Sequence, residues 1–162
     1  MLKINQNIFI KADVNTIWAY LTDFTLSLSF NRFHVNLELP QNYSLGKMDS
    51  FKINHNFGFG NYEMMVEVKE FTPPNRLSIS EFCKEDPKKG FPHSVVFEIF
   101  PDLQKCKLSY TISGTYGRMV QDMSFKPILK SVIKEELLNI KNAIESLEKS
   151  YNGLSSKSVN PI

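Results

Sequence analysis

Two of the three histidines in the chain lie in segments with the alternating pattern of a β-strand. His55 follows Phe51 and Ile53 at intervals of two residues, and His93 precedes Val95 at the same interval. Because alternate residues of a strand share a face, both imidazoles are predicted on an apolar inner face. An imidazole exchanges protons near neutral pH, so these histidines are candidates for acid–base chemistry.

Three tyrosines have the same inward parity as the histidines. In an antiparallel meander the end of one strand lies beside the start of the next, which gathers both histidines with Tyr62 and Tyr116 at one edge. The pattern predicts an apolar interior whose mouth is rimmed by polar groups, the usual form of a small-molecule site. The residues of this predicted ligand site are Phe51, Ile53, His55, Phe57, Tyr62, Met64, Val66, His93, Val95, Phe97, Tyr110 and Tyr116.

A catalytic role for these residues competes with a structural one. The catalytic candidates are His55, His93 and Tyr110, but histidines at the edge of a core more often bond to backbone or water. A metal site is not expected, because the strands of the two histidines are not neighbours and no acidic residue of matching parity is predicted to join them. The sequence has no HExxH, GxSxG or P-loop motif, so we expect no cofactor and favour a carrier over an enzyme.

The periodicity of the whole chain predicts seven strands, two short helices and one long helix. Asp13 and Asp23 can each cap a short helix, the second extending to Phe30. Residues 124–149 repeat apolar positions at spacings of three and four, typical of an amphipathic helix with Pro127 in its first turn. Alternating segments separated by short turns are predicted strands at 2–11, 33–39, 47–57, 62–71, 76–83, 91–100 and 105–116.

This order of elements resembles the helix-grip fold of the START, birch-pollen-allergen and polyketide-cyclase superfamily (SRPBCC). The segment ADVNTIWAYLTDF at 12–24 is similar to the first helix of that superfamily, and VEVKEFTPPNRLSIS at 66–80 is similar to its fourth and fifth strands. The resemblance implies an α+β domain over residues 1–150, with a seven-stranded curved antiparallel sheet and a long C-terminal helix over an internal cavity. Residues 151–162 are expected to form a disordered tail.

The superfamily includes lipid and hormone carriers, quinone-binding proteins, and aromatase and cyclase domains. The resemblance therefore implies binding, transport or sensing of an apolar small molecule, such as a lipid, isoprenoid, quinone or polyketide-like compound. A cyclase or dehydratase that uses the histidines and tyrosines as acid and base is an alternative. A protein-interaction module is a second alternative.

The overall charge argues against a nucleic-acid partner. Nineteen basic and seventeen acidic residues leave a net charge of +2, too small for a phosphate-binding surface without clustering. The chain shows no signal-peptide pattern and no apolar run of transmembrane length, so we expect a cytoplasmic protein. The residues Lys126, Lys130 and Lys134 could contact anionic lipid weakly, although Glu135 and Glu136 indicate an ordinary solvated helix face.

Overall fold

A computed structural model describes residues 1–41, 50–56, 60–103 and 105–155, with the backbone alone for 151–155. All strand pairs are antiparallel, in the order β1-β7-β6-β5-β4-β3-β2, which confirms the predicted helix-grip α+β fold. The elements are β1 (Leu2–Ile10), α1 (Val14–Thr22), α2 (Phe24–Ser27), β2 (His34–Glu38), β3 (Ser50–Asn56), β4 (Asn61–Thr72), β5 (Arg76–Phe82), β6 (His93–Asp102), β7 (Lys105–Gly114) and α3 (Met119–Ser155).

Two aspartates set the short helices after β1. The side chain of Asp13 accepts hydrogen bonds from the backbone amides of Asn15 and Thr16, and that of Asp23 accepts one from the amide of Thr25. These bonds satisfy first-turn amides that have no partner within a helix. The second helix ends at Ser27, so the predicted extension to Phe30 was too long.

The long helix α3 begins earlier and ends later than predicted. Asp122 lies in its first turn and accepts a hydrogen bond from the amide of Tyr116 at 2.7 Å, which ties the helix start to the end of β7. Pro127 consequently lies within the helix rather than in its first turn. The first residues of the predicted tail, 151–155, continue the helix, and residues 156–162 lie outside the described residues.

One face of α3 closes the concave side of the sheet. Ile133, Leu137, Ile140 and Ile144 are each at most 2% exposed, as the helical period predicts, whereas Leu147 is 44% exposed and does not continue the buried stripe. The helix and the sheet share one apolar core. The sheet residues in that core include Val66, Phe97, Ile99, Leu108 and Ile112, with Val68 partly buried.

The opposite face of α3 is exposed. Lys126, Lys130 and Lys134 lie on this face, as their spacing predicts. Among the described residues, no helix has both the length and the apolar character that crossing a membrane requires.

Candidate functional site

A buried carboxylate, Glu81, lies between two histidines at one edge of the sheet. The distance from its Oε2 to His55 Nε2 is 2.9 Å, and the distance from the same oxygen to His93 Nε2 is 3.6 Å. Glu81 and His55 are each only 2% exposed. The predicted convergence of His55 and His93 is therefore confirmed, and Glu81 links them.

The expectation that no acidic residue of matching parity joins the histidines was wrong. Strand β5 buries Leu77, Ile79 and Glu81 in alternation, so Glu81 points inward like the two apolar residues before it. It also lies directly opposite His93 in the register of β5 and β6. The alternation is visible in the sequence. A glutamate at an inner position is nevertheless expected to be exposed unless the histidines beside it are known.

The third histidine, His34, belongs to the same cluster. It is half-buried on β2, directly opposite His55 in the sheet, and the centroids of the two rings are 4.6 Å apart. Its Nδ1 lies 2.7 Å from the carbonyl oxygen of Leu28. All three histidines of the chain thus surround Glu81, and sequence parity identified only two of them.

The electrostatics of this histidine cluster favour an ionised carboxylate. Burial alone would raise the pKa of Glu81, but the neighbouring imidazoles, His93 first, outweigh burial and hold that pKa well below its usual range. Burial lowers the pKa of His34 to about 4, with Glu81 opposing the shift. Burial also lowers the pKa of His93. A buried anion of this kind is stable only beside such partners.

A second buried carboxyl group, Glu136, projects from α3 into the interior. It is 1% exposed and shares a hydrogen bond with Tyr110 of β7, and the side-chain amide of Asn31 lies 3.4 Å from its Oε2. Burial, reinforced by the charge of Glu81, raises the pKa of Glu136 to about 8. Glu136 is therefore protonated at neutral pH, and its assignment to a solvated face was wrong.

An aromatic stack closes the rim next to His93. The ring of Phe91 lies between those of His93 and Tyr116, with centroid distances of 5.0 and 4.3 Å, and Phe125 of α3 stacks on Tyr116 at 4.5 Å. Phe91 is only 2% exposed, so its ring forms part of the core at this edge.

The other predicted site residues fall into three groups. Tyr62 is half-buried directly opposite His55, at the same edge as the histidine cluster. Phe57 lies outside the described residues. The buried residues that line the interior are Phe51, Ile53, Met64, Val66, Val95, Phe97 and Tyr110.

Comparison with known proteins supports the fold. No protein-family model and no curated protein matches the chain. A solved structure of a conserved protein from Geobacillus kaustophilus is similar at a TM-score of 0.69 and 21% identity, covering 90% of this chain and 96% of that one.

Two further similar structures come from biosynthetic systems. The di-domain ARO/CYC StfQ from the steffimycin biosynthetic pathway matches with a TM-score of 0.69 and 12% identity over 91% of this chain and 52% of its own. DynU16, a protein of the dynemicin biosynthetic locus, matches with a TM-score of 0.60 and 16% identity over 88% of this chain and 47% of its own. The chain thus spans about half of each of these two proteins. The sheet order, the long helix and these likenesses together show that the chain has a helix-grip fold.

Proposed function

We propose that the chain binds an apolar small molecule between the sheet and α3, as a carrier or a sensor. The observation that carries this proposal is the pair of buried carboxyl groups, Glu81 and Glu136, in an interior lined mainly by apolar residues. Burying a carboxyl group costs free energy, and apolar residues of similar volume would stabilise the fold at least as well. Polar groups placed at such a cost inside an apolar site are typical of ligand recognition.

The polar groups of the interior indicate what the ligand carries. Protonated Glu136 and the Tyr110 hydroxyl can each donate and accept a hydrogen bond, so they suit a carbonyl or hydroxyl group on an apolar body. Lipids, isoprenoids, quinones and polyketide-like ring systems all have this form. The similarity to an ARO/CYC protein supports a polyketide-like ring system among these classes.

The proposal is tested by ligand-dependent stability. Freshly purified protein is examined by native mass spectrometry for a co-purified apolar compound, and a panel of such compounds is screened by thermal shift. A ligand at a hundredfold excess over its Kd stabilises the fold by about 2.7 kcal/mol, so the melting temperature should rise by several degrees.

A matched pair of variants locates the binding. Val95 is buried on the inner face of β6 and Val96 is the next residue, facing outward. We expect Val95→Phe to abolish the thermal shift by filling interior space, while Val96→Phe retains it. If no compound of the panel shifts the melting temperature and none co-purifies, or if Val95→Phe retains the full shift, binding in the interior is refuted.

Acid–base catalysis on the same ligand is a second candidate function. Buried groups whose environments push their pKa values in opposite directions are the usual arrangement of a catalytic acid and base, and Glu136 and Glu81 meet that description. Protonated Glu136 would donate a proton, and the His55–Glu81 pair would accept one. With a compound identified by mass spectrometry, His55→Gln should lower turnover 10²-fold or more with binding retained if the protein is an enzyme. A carrier would show no turnover in either form.

A further inference from the structure

The histidine cluster contains a donor set that suits a transition metal. His34, His55 and Glu81 each offer one ligand atom, and these atoms all lie within 4.8 Å of one another. The 2.9 Å between His55 Nε2 and Glu81 Oε2 is close to the separation of about 3.3 Å between two ligands of one tetrahedral metal ion. Side-chain rotations would have to bring the more distant donor atoms closer to reach bonding distance of one ion.

The hydrogen bond of His34 prepares its other ring nitrogen for a metal. A carbonyl oxygen only accepts, so the 2.7 Å contact with Leu28 requires that His34 Nδ1 carries the proton. Neutral His34 then presents an unprotonated Nε2, the form of imidazole that a metal requires. Metal-binding histidines typically donate their second nitrogen to a backbone carbonyl in this way.

His93 also faces the carboxylate of Glu81, and it has the same tautomer as His34. Its Nδ1 lies 2.8 Å from the carbonyl oxygen of Phe91, so Nδ1 carries the proton there too. In neutral His93 the remaining lone pair on Nε2 faces the anionic Oε2 of Glu81 at 3.6 Å. A lone pair directed at a buried anion repels it, and either a proton on Nε2 or a metal cation within the cluster removes the repulsion.

A pocket open to solvent lies next to His34, the half-buried member of the cluster. The pocket has a volume of about 240 Å³, enough for an ion with several waters. An ion in this pocket would meet His34 first among the three donors. The pocket is lined by Thr25, Leu28, Ser29, His34, Val35, Asn36, Leu37 and Ile53.

We propose that His34, His55 and Glu81 bind one first-row divalent transition metal ion, such as Zn²⁺ or Fe²⁺. Two imidazoles and one carboxylate select such ions over Ca²⁺ and Mg²⁺, which prefer oxygen ligands alone. Three protein ligands leave at least one coordination position open, as in catalytic rather than structural metal sites. The proposal is independent of the apolar ligand, because it rests on the histidine cluster alone.

The test uses the protein without an affinity tag, stripped of metal with a chelator and titrated with Co²⁺. Binding is followed by the visible absorption of Co²⁺ and by calorimetry, and displacement by Zn²⁺ is measured on the same sample. We expect one saturable site per chain, with absorption bands that disappear as Zn²⁺ replaces Co²⁺.

Two ligand variants and one control test whether these residues hold the metal. His34→Gln and Glu81→Gln should each weaken Co²⁺ binding by more than the 10- to 100-fold typical of losing an outer-sphere partner. The control is Glu63→Gln, whose carboxylate is exposed on β4 and bound to Lys52, and it should bind as the wild type does. His34 is only half-buried, so His34→Gln should keep the fold even if Glu81→Gln does not. Absence of a saturable site, or wild-type affinity in folded His34→Gln, would overturn the proposal.

Discussion

Two glutamates buried in the same interior have opposite protonation states because their neighbours differ. Glu81 lies beside imidazoles that offset its negative charge, and its pKa falls well below the usual range. Glu136 lies beside the uncharged hydroxyl of Tyr110 and within the field of Glu81, so burial dominates and its pKa rises to about 8. At the residue scale, the chemistry of the interior is therefore set by which polar group each carboxyl meets, because both are almost completely removed from water.

A glycine holds the backbone close to the histidine cluster. A Cβ atom at Gly114 would lie 2.6 Å from the Cβ of His93 and 2.7 Å from the carbonyl oxygen of Pro92. We expect Gly114→Ala to lower the free energy of unfolding by about 1 to 3 kcal/mol, as overpacking does in close-packed interiors. Denaturant unfolding measures the change. The neighbouring Ser113→Ala should have almost no effect, and equal stability of the two variants would show that β7 moves to make room.

At the scale of elements, the alternation of apolar residues was sufficient to predict the strands, and the short turns between them predicted the antiparallel meander from β2 to β7. Strand parity placed His55 and His93 on the inner face, and the alternating chain direction of the meander placed both at one edge. Glu81 and Glu136 were missed for a physical reason. Each occupies a position that the strand or helix period assigns to the core. The polar side chains that make burial of a carboxyl group tolerable belong to other elements, so a local sequence pattern does not contain them.

The docking of α3 gives a prediction at this scale. Leu137 is 2% exposed against the sheet, and Leu138, the next residue, is 49% exposed. Leu137→Ala should lower the free energy of unfolding by about 2 to 5 kcal/mol, because it removes buried methyl groups and leaves a cavity. Leu138→Ala should change it by less than about 0.5 kcal/mol. Chemical denaturation of both variants is the measurement, and similar values would contradict the docking of this face.

At the scale of the whole molecule, the protonation of Glu136 is coupled to folding. The groups that act on Glu136 are Tyr110 and Asn31 by hydrogen bonding and Glu81 by charge. The folded protein keeps a proton on Glu136 up to a pH of about 8, whereas an exposed glutamate in the unfolded chain releases it near its ordinary pKa of 4.5. Within that window the folded state binds more protons than the unfolded state, so rising pH favours unfolding.

This coupling predicts how the stability of the protein depends on pH. The stabilising contribution of protonated Glu136 is complete below a pH of about 4.5, falls as the pH rises and is lost above about 8. One proton corresponds to a slope of at most about 1.4 kcal/mol per pH unit. Glu136→Gln keeps the shape and the hydrogen bond to Tyr110 without an ionisable group, so its free energy of unfolding should exceed that of the wild type at pH 8.

Urea unfolding at a series of pH values between about 5 and 8 measures the difference. The two curves should converge toward acid pH and diverge toward alkaline pH, because only the wild type loses a proton from its interior. Glu135→Gln is the control, since Glu135 is the exposed neighbour on the same helix and should leave the pH dependence unchanged. Parallel curves for the wild type and Glu136→Gln would mean that Glu136 is already ionised in the folded protein, because only a retained proton makes its contribution depend on pH in this range.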